Sequence, residues 1–292
     1  MAIIDLAMSP MGAMILAGIY GLMIGSFLNV VIYRLPIMME RDWRSQCDEL
    51  FGLADNDKKN DPTTYNLSTP SSRCPHCGHV IRWWENIPVI SYLWLKGKCS
   101  ECSEPISIRY PTVEAMTALL SVIVVWQLGP TIQAVALLLL TWGLIALTMI
   151  DVDHQLLPDS ITLPLLWIGL LLSIYEVFIP ADEAIIGAIA GYLSLWSFYW
   201  LFKLLTGKEG MGYGDFKLLA MFGAWVGWKS VFLIILLSSF VGAIIGIAMI
   251  LFAGHEKQKP IPFGPYLAIA GWLALLWGDE IIHSYLVFSG LR

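Results

Sequence analysis

Apolar residues occur along the chain in long runs, separated by short polar stretches. A helix needs roughly 20 apolar residues to cross a hydrocarbon core about 30 Å thick. Eight such segments are predicted, near 11–33, 112–128, 131–150, 161–179, 184–205, 216–228, 230–253 and 263–286. The sixth and seventh are separated only by Gly227-Trp228-Lys229, so this pair is the least distinct. The pattern predicts an all-α polytopic membrane protein with about eight transmembrane helices.

Polar residues are concentrated in one segment, 36–111, between the first and second predicted spans. Its first part, from Glu40 to Thr64, is typical of a helix followed by a loop, and its second part contains four cysteines. The predicted domains are therefore a first span at 1–35, a small soluble domain at 36–111 and a seven-span membrane domain at 112–292.

The composition agrees with a chain that is solvated by lipid. Apolar residues make up 57% of the sequence and charged residues only 14%, whereas about a quarter of a soluble domain is charged. A soluble enzyme, a disordered protein and a disulfide-rich secreted protein are excluded. The net charge of −6 gives no support for nucleic-acid binding.

The distribution of basic residues predicts the orientation in the membrane, because cytoplasmic loops hold an excess of Lys and Arg. If 34–111 is cytoplasmic, fifteen of the seventeen basic residues lie on that side, and only Lys229 and Arg292 do not. The first span has no basic residue before it and Arg34 after it, which is the reverse of a secretory signal peptide. We expect a retained first span with a periplasmic N-terminus.

The cysteines of the soluble segment form two C-x2-C pairs, Cys74/Cys77 and Cys99/Cys102, with 21 residues between the pairs. Two such knuckles can supply four thiolates to a tetrahedral Zn²⁺ ion, and a closed four-cysteine site is structural rather than catalytic. Two disulfides or four unrelated thiols are the alternatives, and a reducing cytoplasm disfavours the disulfides. Zinc is favoured over an iron–sulfur cluster because the knuckles are short and the sequence has no other redox motif. One structural zinc ion is therefore predicted.

Other residues of this segment have less specific interpretations. Cys47 stands apart from the pairs and is interpreted as a plain thiol. His76 and His79 are either alternative ligands or solvated histidines. The aromatic stretch that begins Trp83-Trp84-Glu85 is typical of a membrane-interface patch, and a substrate or cofactor surface is the alternative.

Acidic residues at the ends of predicted spans are the second chemical signal. Asp151, Asp153 and Asp159 follow the third span, and Asp215 of Gly212-Tyr213-Gly214-Asp215 precedes the sixth. Two spans separate Asp151 from Asp215, so both lie at the same, cytoplasmic, face. Ionisable groups at membrane depth are costly, which suggests a function for them.

Two neighbouring carboxyl groups cannot both ionise cheaply, so a pair shares one proton. The ionised member can then activate water while the neutral member donates a proton, as in aspartic proteases. Asp215 and Asp159 have a simpler alternative as helix N-caps, and Asp153 could be a solvated loop residue. An ion-relaying transporter and an assembly scaffold with a zinc module are alternative functions, although the acids lie at span ends and no repeat is evident.

Taken together, these stretches resemble the type IV prepilin peptidase and N-methyltransferase family, the aspartic membrane proteases of Gram-negative bacteria. The resemblance covers almost the whole chain. It is carried by six stretches in the family's order: Gly25–Pro36, the cysteine pairs with Glu85–Pro88, Ile106–Glu114, Ile150-Asp151, Gly212–Asp215 and Pro260–Pro265.

The resemblance implies that Asp151 and Asp215 are the catalytic pair, with Asp153 and Asp159 as alternatives. It implies cleavage of the leader peptide of type IV prepilins and type II secretion pseudopilins after a glycine, usually before phenylalanine. It also implies an inner-membrane location and an association with pilus or type II secretion assembly machinery. The net negative charge would attract a basic leader.

The resemblance further implies methylation of the new amino terminus with S-adenosylmethionine, in the region 36–111. No glycine-rich fingerprint of the common cofactor fold is present. Gly97, between Lys96 and Lys98, is a weak candidate for the methyl-donor site. A peptidase without methyltransferase activity is a further alternative, and the intact cysteine pairs argue against it.

Overall fold

The computed structural model describes residues 9–52, 65–252 and 262–290, and most of the residues in these ranges are helical. No strand forms in the described ranges, where Arg73 with Val80 and Lys98 with Pro105 make isolated bridges. The helices are α1 Pro10–Leu50, a 3₁₀ turn Trp83–Asn86, α2 Ile90–Trp94, α3 Arg109–Leu128, α4 Ile132–His154, α5 Asp159–Ile174, α6 Ala181–Thr206, α7 Tyr213–Phe252 and α8 Gly264–Phe288.

Six of the described helices are long and apolar enough to cross a membrane, and α5 is a shorter apolar helix. The prediction of an all-α polytopic protein is confirmed. Some predictions fall outside the described residues. They concern the end of the helix-and-loop stretch from Glu40 to Thr64, at 53–64, the basic residues Lys257 and Lys259 that are expected on the cytoplasmic side, and the first two residues of the Pro260–Pro265 stretch.

The sixth and seventh predicted spans form one helix, α7, which is broken at their predicted junction. Gly227 has φ 77° and ψ 169°, a conformation that is essentially restricted to glycine. The helix therefore kinks where the sequence joins the two apolar segments. The fourth predicted span is shorter than expected, since α5 ends at Ile174 rather than near 179.

Helix α1 is longer than the first predicted span and continues through the polar residues to Leu50. Ser9 caps its start, because its hydroxyl accepts a hydrogen bond from the backbone N–H of Gly12 at 3.1 Å. The buried Arg34 donates to the carbonyl oxygens of Asn66 at 3.0 Å and Pro70 at 2.6 Å. This arginine therefore fastens the chain before the first cysteine pair to α1.

The residue contacts divide the chain into two units, Met1–Ala134 and Val135–Arg292. In the first unit, α1 packs closely on α3 through glycines. A Cβ on Gly21 would lie 2.6 Å from the Cα of Ala118, and one on Gly25 would lie 2.7 Å from the Cα of Glu114. Small residues allow such close backbone packing, which is how helices associate in lipid.

In the second unit, the first half of α7 forms the core. Its fully buried side chains are Phe216, Leu218, Leu219, Met221, Phe222 and Trp225. The indole N–H of Trp225 donates to the carbonyl oxygen of Leu165 in α5 at 2.9 Å. Gly187 of α6 and Gly223 of α7 are in backbone contact, and a Cβ on either would overlap the other's carbonyl oxygen. This packing fixes the first turn of α7, which contains Asp215.

Candidate active and metal sites

The four acidic residues predicted as candidates differ in burial. Asp151 is 5% exposed and Asp215 is 7% exposed, whereas Asp153 and Asp159 are exposed. The structure thus separates the predicted pair from its two alternatives by burial.

Asp151 lies in the last turn of α4 and is held by the start of α8. Its Oδ2 accepts a hydrogen bond from the backbone N–H of Gly264 at 3.0 Å. A Cβ on residue 264 would lie 2.6 Å from that oxygen. Glycine is therefore needed at this position for the α8 backbone to approach the carboxylate.

Asp215 is the third residue of α7, which begins at Tyr213, so it is not the N-cap residue that the alternative interpretation expected. Its carboxylate accepts a hydrogen bond from the backbone N–H of Gly212 and interacts electrostatically with Asp151. The contact with Gly212 resembles one half of a capping box. Asp215 therefore supports the start of its helix and also lies close enough to Asp151 to sense its charge.

Leu157 lies between the two acidic positions. A Cβ added to Gly214 would lie 2.9 Å from the Cβ of Leu157, and a Cβ added to Gly264 would lie 3.1 Å from the Cδ2 of Leu157. Gly214 precedes Asp215, and Gly264 binds Asp151. The α4–α5 loop, the start of α7 and the start of α8 therefore meet at one place in the second unit.

Asp159 has a different role from the two buried acids. It is the first residue of α5, whose N-cap position is occupied by Pro158. Its carboxylate pairs with Lys217 Nζ at 2.6 Å, and its side chain is 50% exposed. A solvated ion pair of this kind contributes little to stability.

An aromatic crevice of about 120 Å³ lies beside the segment that leads to Asp215. Its lining residues are Phe198, Tyr199, Phe202, Gly210 and Met211. The ring of Tyr199 packs on that of Tyr213, with their centroids 5.5 Å apart, and on that of Phe216, with centroids 5.7 Å apart. One wall of the crevice, Tyr199, therefore also contacts the first turn of α7.

The predicted metal ligands come together in the first unit. The sulfur atoms of Cys74, Cys77, Cys99 and Cys102 all lie within 4.8 Å of one another. The Sγ atoms of Cys74 and Cys102 are 3.8 Å apart, and those of Cys77 and Cys99 are 3.9 Å apart. Zn–S bonds of about 2.3 Å in a tetrahedron require sulfur atoms about 3.8 Å apart. The residues therefore fit a tetrahedral zinc ion, and they are free thiols rather than disulfides.

Backbone N–H groups within each knuckle point at the first sulfur of that knuckle. Hydrogen bonds from the N–H groups of Cys77 and His76 lower the pKa of Cys74 to about 7. The N–H groups of Cys102 and Glu101 lower the pKa of Cys99 in the same way. These bonds favour the thiolate form, which is the form that binds metal.

The other candidate ligands lie outside this cluster. His79 is hydrogen-bonded to Glu85, with its Nε2 3.0 Å from Oε2. His76 lies 3.8 Å from Glu104 in an exposed ion pair. Cys47 is exposed on α1. Neither histidine is part of the metal cluster found in the described residues.

Gly97 lies in a tight turn immediately before the second cysteine pair. Its φ is 68°, and a Cβ there would lie 2.9 Å from the hydroxyl oxygen of Tyr92. Its carbonyl oxygen accepts a hydrogen bond from the N–H of Ile106 at 2.7 Å. These contacts explain the glycine by turn geometry, and its predicted link to a methyl donor stays a prediction.

Comparison with known proteins gives the family. A model of the bacterial peptidase A24 N-terminal domain matches residues 19–128, and a model of the type IV leader peptidase family matches residues 138–247. The chain is 58% identical over 287 residues to the prepilin leader peptidase/N-methyltransferase of Pseudomonas aeruginosa, with 98% of each chain covered. The chain belongs to the prepilin leader peptidase/N-methyltransferase family.

Other members of this family are similarly close. The enzyme of Aeromonas salmonicida is 60% identical over 92% of both chains, and that of Dichelobacter nodosus is 53% identical over 96% of this chain and 97% of its own. No solved structure matches the chain significantly. Family membership makes the protein a multi-pass membrane enzyme with peptidase and N-methyltransferase activities, rather than a transporter or a scaffold.

Sequence reasoning did not identify two residues that the structure brings to these sites. Gly264 enters the sequence analysis only as part of the Pro260–Pro265 stretch, because its hydrogen bond to Asp151 joins residues 113 positions apart in sequence. Glu85 enters the sequence analysis only as part of the aromatic stretch and of Glu85–Pro88, without a role of its own. The available signal for Gly264 was a glycine between Phe263 and Pro265 at the start of an apolar run.

Proposed function

We propose that the protein cleaves the leader peptide of type IV prepilins and type II secretion pseudopilins with Asp151 and Asp215, after a glycine and usually before phenylalanine. The observation that carries this proposal is the burial of these two acids beside each other, while Asp153 and Asp159 are exposed. The names of the similar enzymes support the substrate class.

The two carboxyl groups divide the acid–base work of peptide hydrolysis. The ionised carboxylate takes a proton from the attacking water, and the neutral carboxyl group donates one to the carbonyl oxygen of the scissile bond. Proton sharing is favoured because two adjacent carboxylates repel each other. The N–H of Gly264 holds Asp151 during the reaction, and that of Gly212 holds Asp215.

The aromatic crevice beside the turn before Asp215 fits the residue that follows the cleaved bond. Its lining is mainly aromatic, from Phe198, Tyr199 and Phe202. A phenylalanine side chain would pack there edge-to-face with these rings. Tyr199 of the crevice also packs on Tyr213 and Phe216, which flank Asp215 on α7, so a side chain bound in the crevice would lie on the Asp215 side of the site.

The proposal is tested by peptide cleavage in proteoliposomes that contain a synthetic prepilin. Asp151→Asn and Asp215→Asn should each lower the cleavage rate by about 10²–10⁴-fold, because each removes one proton-transfer group. Asp153→Asn and Asp159→Asn are matched controls that remove an exposed carboxylate from the same region, and both should retain cleavage. Normal cleavage by either of the first two variants would overturn the assignment.

We propose that the N-terminus is periplasmic and that the cysteine module and the two acids face the cytoplasm. The excess of Lys and Arg on that side supports this orientation. A basic leader in the cytoplasm and an apolar helix in the membrane then meet the acids at the membrane boundary. Such an orientation also suits enzymes that act before pilus or type II secretion assembly.

Cys47 offers a direct test of orientation, because it is exposed on the polar part of α1. A membrane-impermeant maleimide should label Cys47 in inverted membrane vesicles and not in intact spheroplasts. Cys47→Ser is the control that identifies labelling at the metal-site cysteines. Labelling of Cys47 in spheroplasts would place this residue on the periplasmic side and contradict the proposed topology.

We propose that S-adenosylmethionine is the methyl donor and that the unit containing the cysteine module carries the methyl transfer. S-Adenosylmethionine carries the methyl group on a sulfonium sulfur, and the protein must hold the new amino terminus as a neutral amine beside that methyl group. The four thiolates would hold zinc and thereby fix the fold of the module. Mass spectrometry of the processed peptide would detect the added methyl group, and its absence with S-adenosylmethionine supplied would contradict the proposal.

A further inference from the structure

Glu85 is a carboxylate with an unusual environment for a small soluble module. Its side chain is only 8% exposed, although glutamate is rarely buried without partners. It lies in the 3₁₀ turn Trp83–Asn86, between the two cysteine pairs in sequence. Neither of its oxygens contacts a cysteine sulfur in the described hydrogen bonds.

Three donors surround the Glu85 carboxylate. Oε2 accepts the backbone N–H of Arg82 at 2.8 Å and lies 3.0 Å from His79 Nε2. Oε1 accepts the hydroxyl of Ser100 at 2.7 Å. These hydrogen bonds, led by the Arg82 N–H and followed by Ser100, lower the pKa of Glu85 to about 2. The group is therefore an ionised acceptor at neutral pH.

Two of these donors belong to different cysteine knuckles. Ser100 lies inside the second knuckle, directly after Cys99. His79 lies two residues after Cys77, and its carbonyl oxygen accepts the backbone N–H of Cys74 at 2.9 Å. One carboxylate thus connects the first knuckle to the second by side-chain hydrogen bonds.

We propose that Glu85 is a positioning residue that fixes the spacing of the two cysteine knuckles and so sets the affinity of the four-cysteine site for its metal ion. Apart from the sulfur atoms, the other described side-chain contacts between the two knuckles are longer: His76 lies 3.8 Å from Glu104, His79 lies 3.9 Å from Glu101, and the Ser100 hydroxyl lies 3.5 Å from His79 Nε2. Partners outside the coordination shell commonly change metal affinity by about 10–100-fold. This inference is independent of the peptidase assignment.

The test compares zinc affinity of the purified full-length protein and its variants in detergent, by competition with a chromophoric chelator. Glu85→Gln keeps the size of the side chain but presents an amide NH₂ group where one donor now points. Its zinc dissociation constant should rise by about 10–100-fold. Ser100→Ala removes one of the three hydrogen bonds and should cause a smaller rise.

Glu104→Gln is the matched control. It removes the same charge from the same module, but the Glu104 side chain is 45% exposed. The substitution leaves the hydrogen bond from the Cys99 N–H to the Glu104 carbonyl oxygen unaffected. Its zinc affinity should stay within about threefold of the parent, because exposed ion pairs contribute little. An equal loss in Glu104→Gln and Glu85→Gln would show that charge, rather than position, matters and would overturn the proposal.

A spectroscopic readout separates positioning from general destabilisation. Cobalt-substituted protein reports the geometry of the four thiolates by its visible absorption, which should shift in Glu85→Gln and not in Glu104→Gln. The Ser100→Ala variant keeps the proposal testable if Glu85→Gln fails to fold. Unchanged zinc affinity and an unchanged cobalt spectrum in a folded Glu85→Gln or Ser100→Ala protein would refute it.

Discussion

At the scale of single residues, burial distinguishes acids that the sequence presents as equivalent. Asp151 and Asp153 are two positions apart on the last turn of α4, yet one is buried and the other exposed. The difference arises because residues two apart on a helix point in different directions. The side of α4 that carries Asp151 faces Gly264 of α8.

The contact of Gly264 with Asp151 gives a prediction at this scale. Gly264→Ala would place a methyl group 2.6 Å from Oδ2, so the carboxylate or the start of α8 must move. A displacement of about 1 Å in a reacting group can cost about 10²-fold in rate. We expect a loss of prepilin cleavage of that order, measured in proteoliposomes.

The control for this variant lies in the same helix. Gly278→Ala adds a methyl group that would be 4.0 Å from the nearest side-chain atom, the Cβ of Ala274. Cleavage should therefore stay within about twofold of the parent, as for most substitutions without a steric conflict. Equal losses in the two variants would mean that α8 tolerates no substitution, and the specific contact would not explain the effect.

A second residue-scale prediction concerns the turn before the second knuckle. Gly97→Ala and Gly78→Ala both place alanine at positive φ, at 68° and 73°. Only the new methyl group in Gly97→Ala would clash with a neighbouring atom, because it would lie 2.9 Å from the hydroxyl oxygen of Tyr92. No atom lies within 4 Å of the new methyl group in Gly78→Ala. Methylation and zinc retention should therefore be about tenfold lower in Gly97→Ala than in Gly78→Ala. Both variants are strained by alanine at positive φ, and only Gly97→Ala adds a steric clash to that strain.

This comparison also tests the origin of the effect at Gly97. If zinc retention is normal in Gly97→Ala but methylation is lost, the glycine acts in methyl transfer rather than in the turn. Similar behaviour of Gly97→Ala and Gly78→Ala would show that the Tyr92 contact has no role.

At the scale of helices, the sequence predicts most of the architecture. Apolar length alone places the membrane helices, and the Gly227 junction marks the kink in α7. The end of α1 was not predictable from hydropathy, because the helix continues past Pro36 into polar residues as far as Leu50. Proline in a helix removes one hydrogen bond, but here it does not end the helix.

The candidate sites also contain some features that the sequence predicts and others that depend on the folded structure. The spacing of the cysteines predicts their cluster, since each pair is local and the two pairs lie close in sequence. The environment of Asp151 could not be predicted, because Gly264 approaches it from 113 residues away. The links from Glu85 to His79 and Ser100 depend on the folded arrangement of both knuckles, which no local pattern describes.

At the scale of the whole molecule, the candidate metal ligands and the candidate catalytic acids belong to different units. The four cysteines lie in Met1–Ala134, whereas Asp151 and Asp215 lie in Val135–Arg292. Each unit has its own close helix packing, at Gly21 and Gly25 in the first and at Gly187 and Gly223 in the second. The two activities should therefore respond differently to loss of the metal.

Removal of the metal gives the corresponding prediction. A strong chelator, or Cys74→Ser, should abolish zinc binding and lower methylation strongly, while prepilin cleavage falls by less than about threefold. Both products can be quantified by mass spectrometry of one reaction. Cys47→Ser, which changes an exposed cysteine outside the cluster, should leave zinc content and both activities unchanged.

Parallel loss of both activities would contradict this separation. It would mean that the cysteine module stabilises the whole protein rather than one unit. Thermal unfolding of the metal-free protein would then show a single transition at lower temperature, and the metal-loaded protein would show the same transition shifted upward.

The length of α1 has a mechanical consequence. Its 41 residues extend about 60 Å at 1.5 Å per residue, roughly twice the thickness of the hydrocarbon core. Its apolar part, from Pro10 to Pro36, is long enough to cross that core, and 37–50 continue the same helix for about 20 Å more. The glycines that contact α3, Gly21 and Gly25, lie in the apolar part, so a change in tilt of the polar end would reach those contacts through one continuous hydrogen-bonded helix.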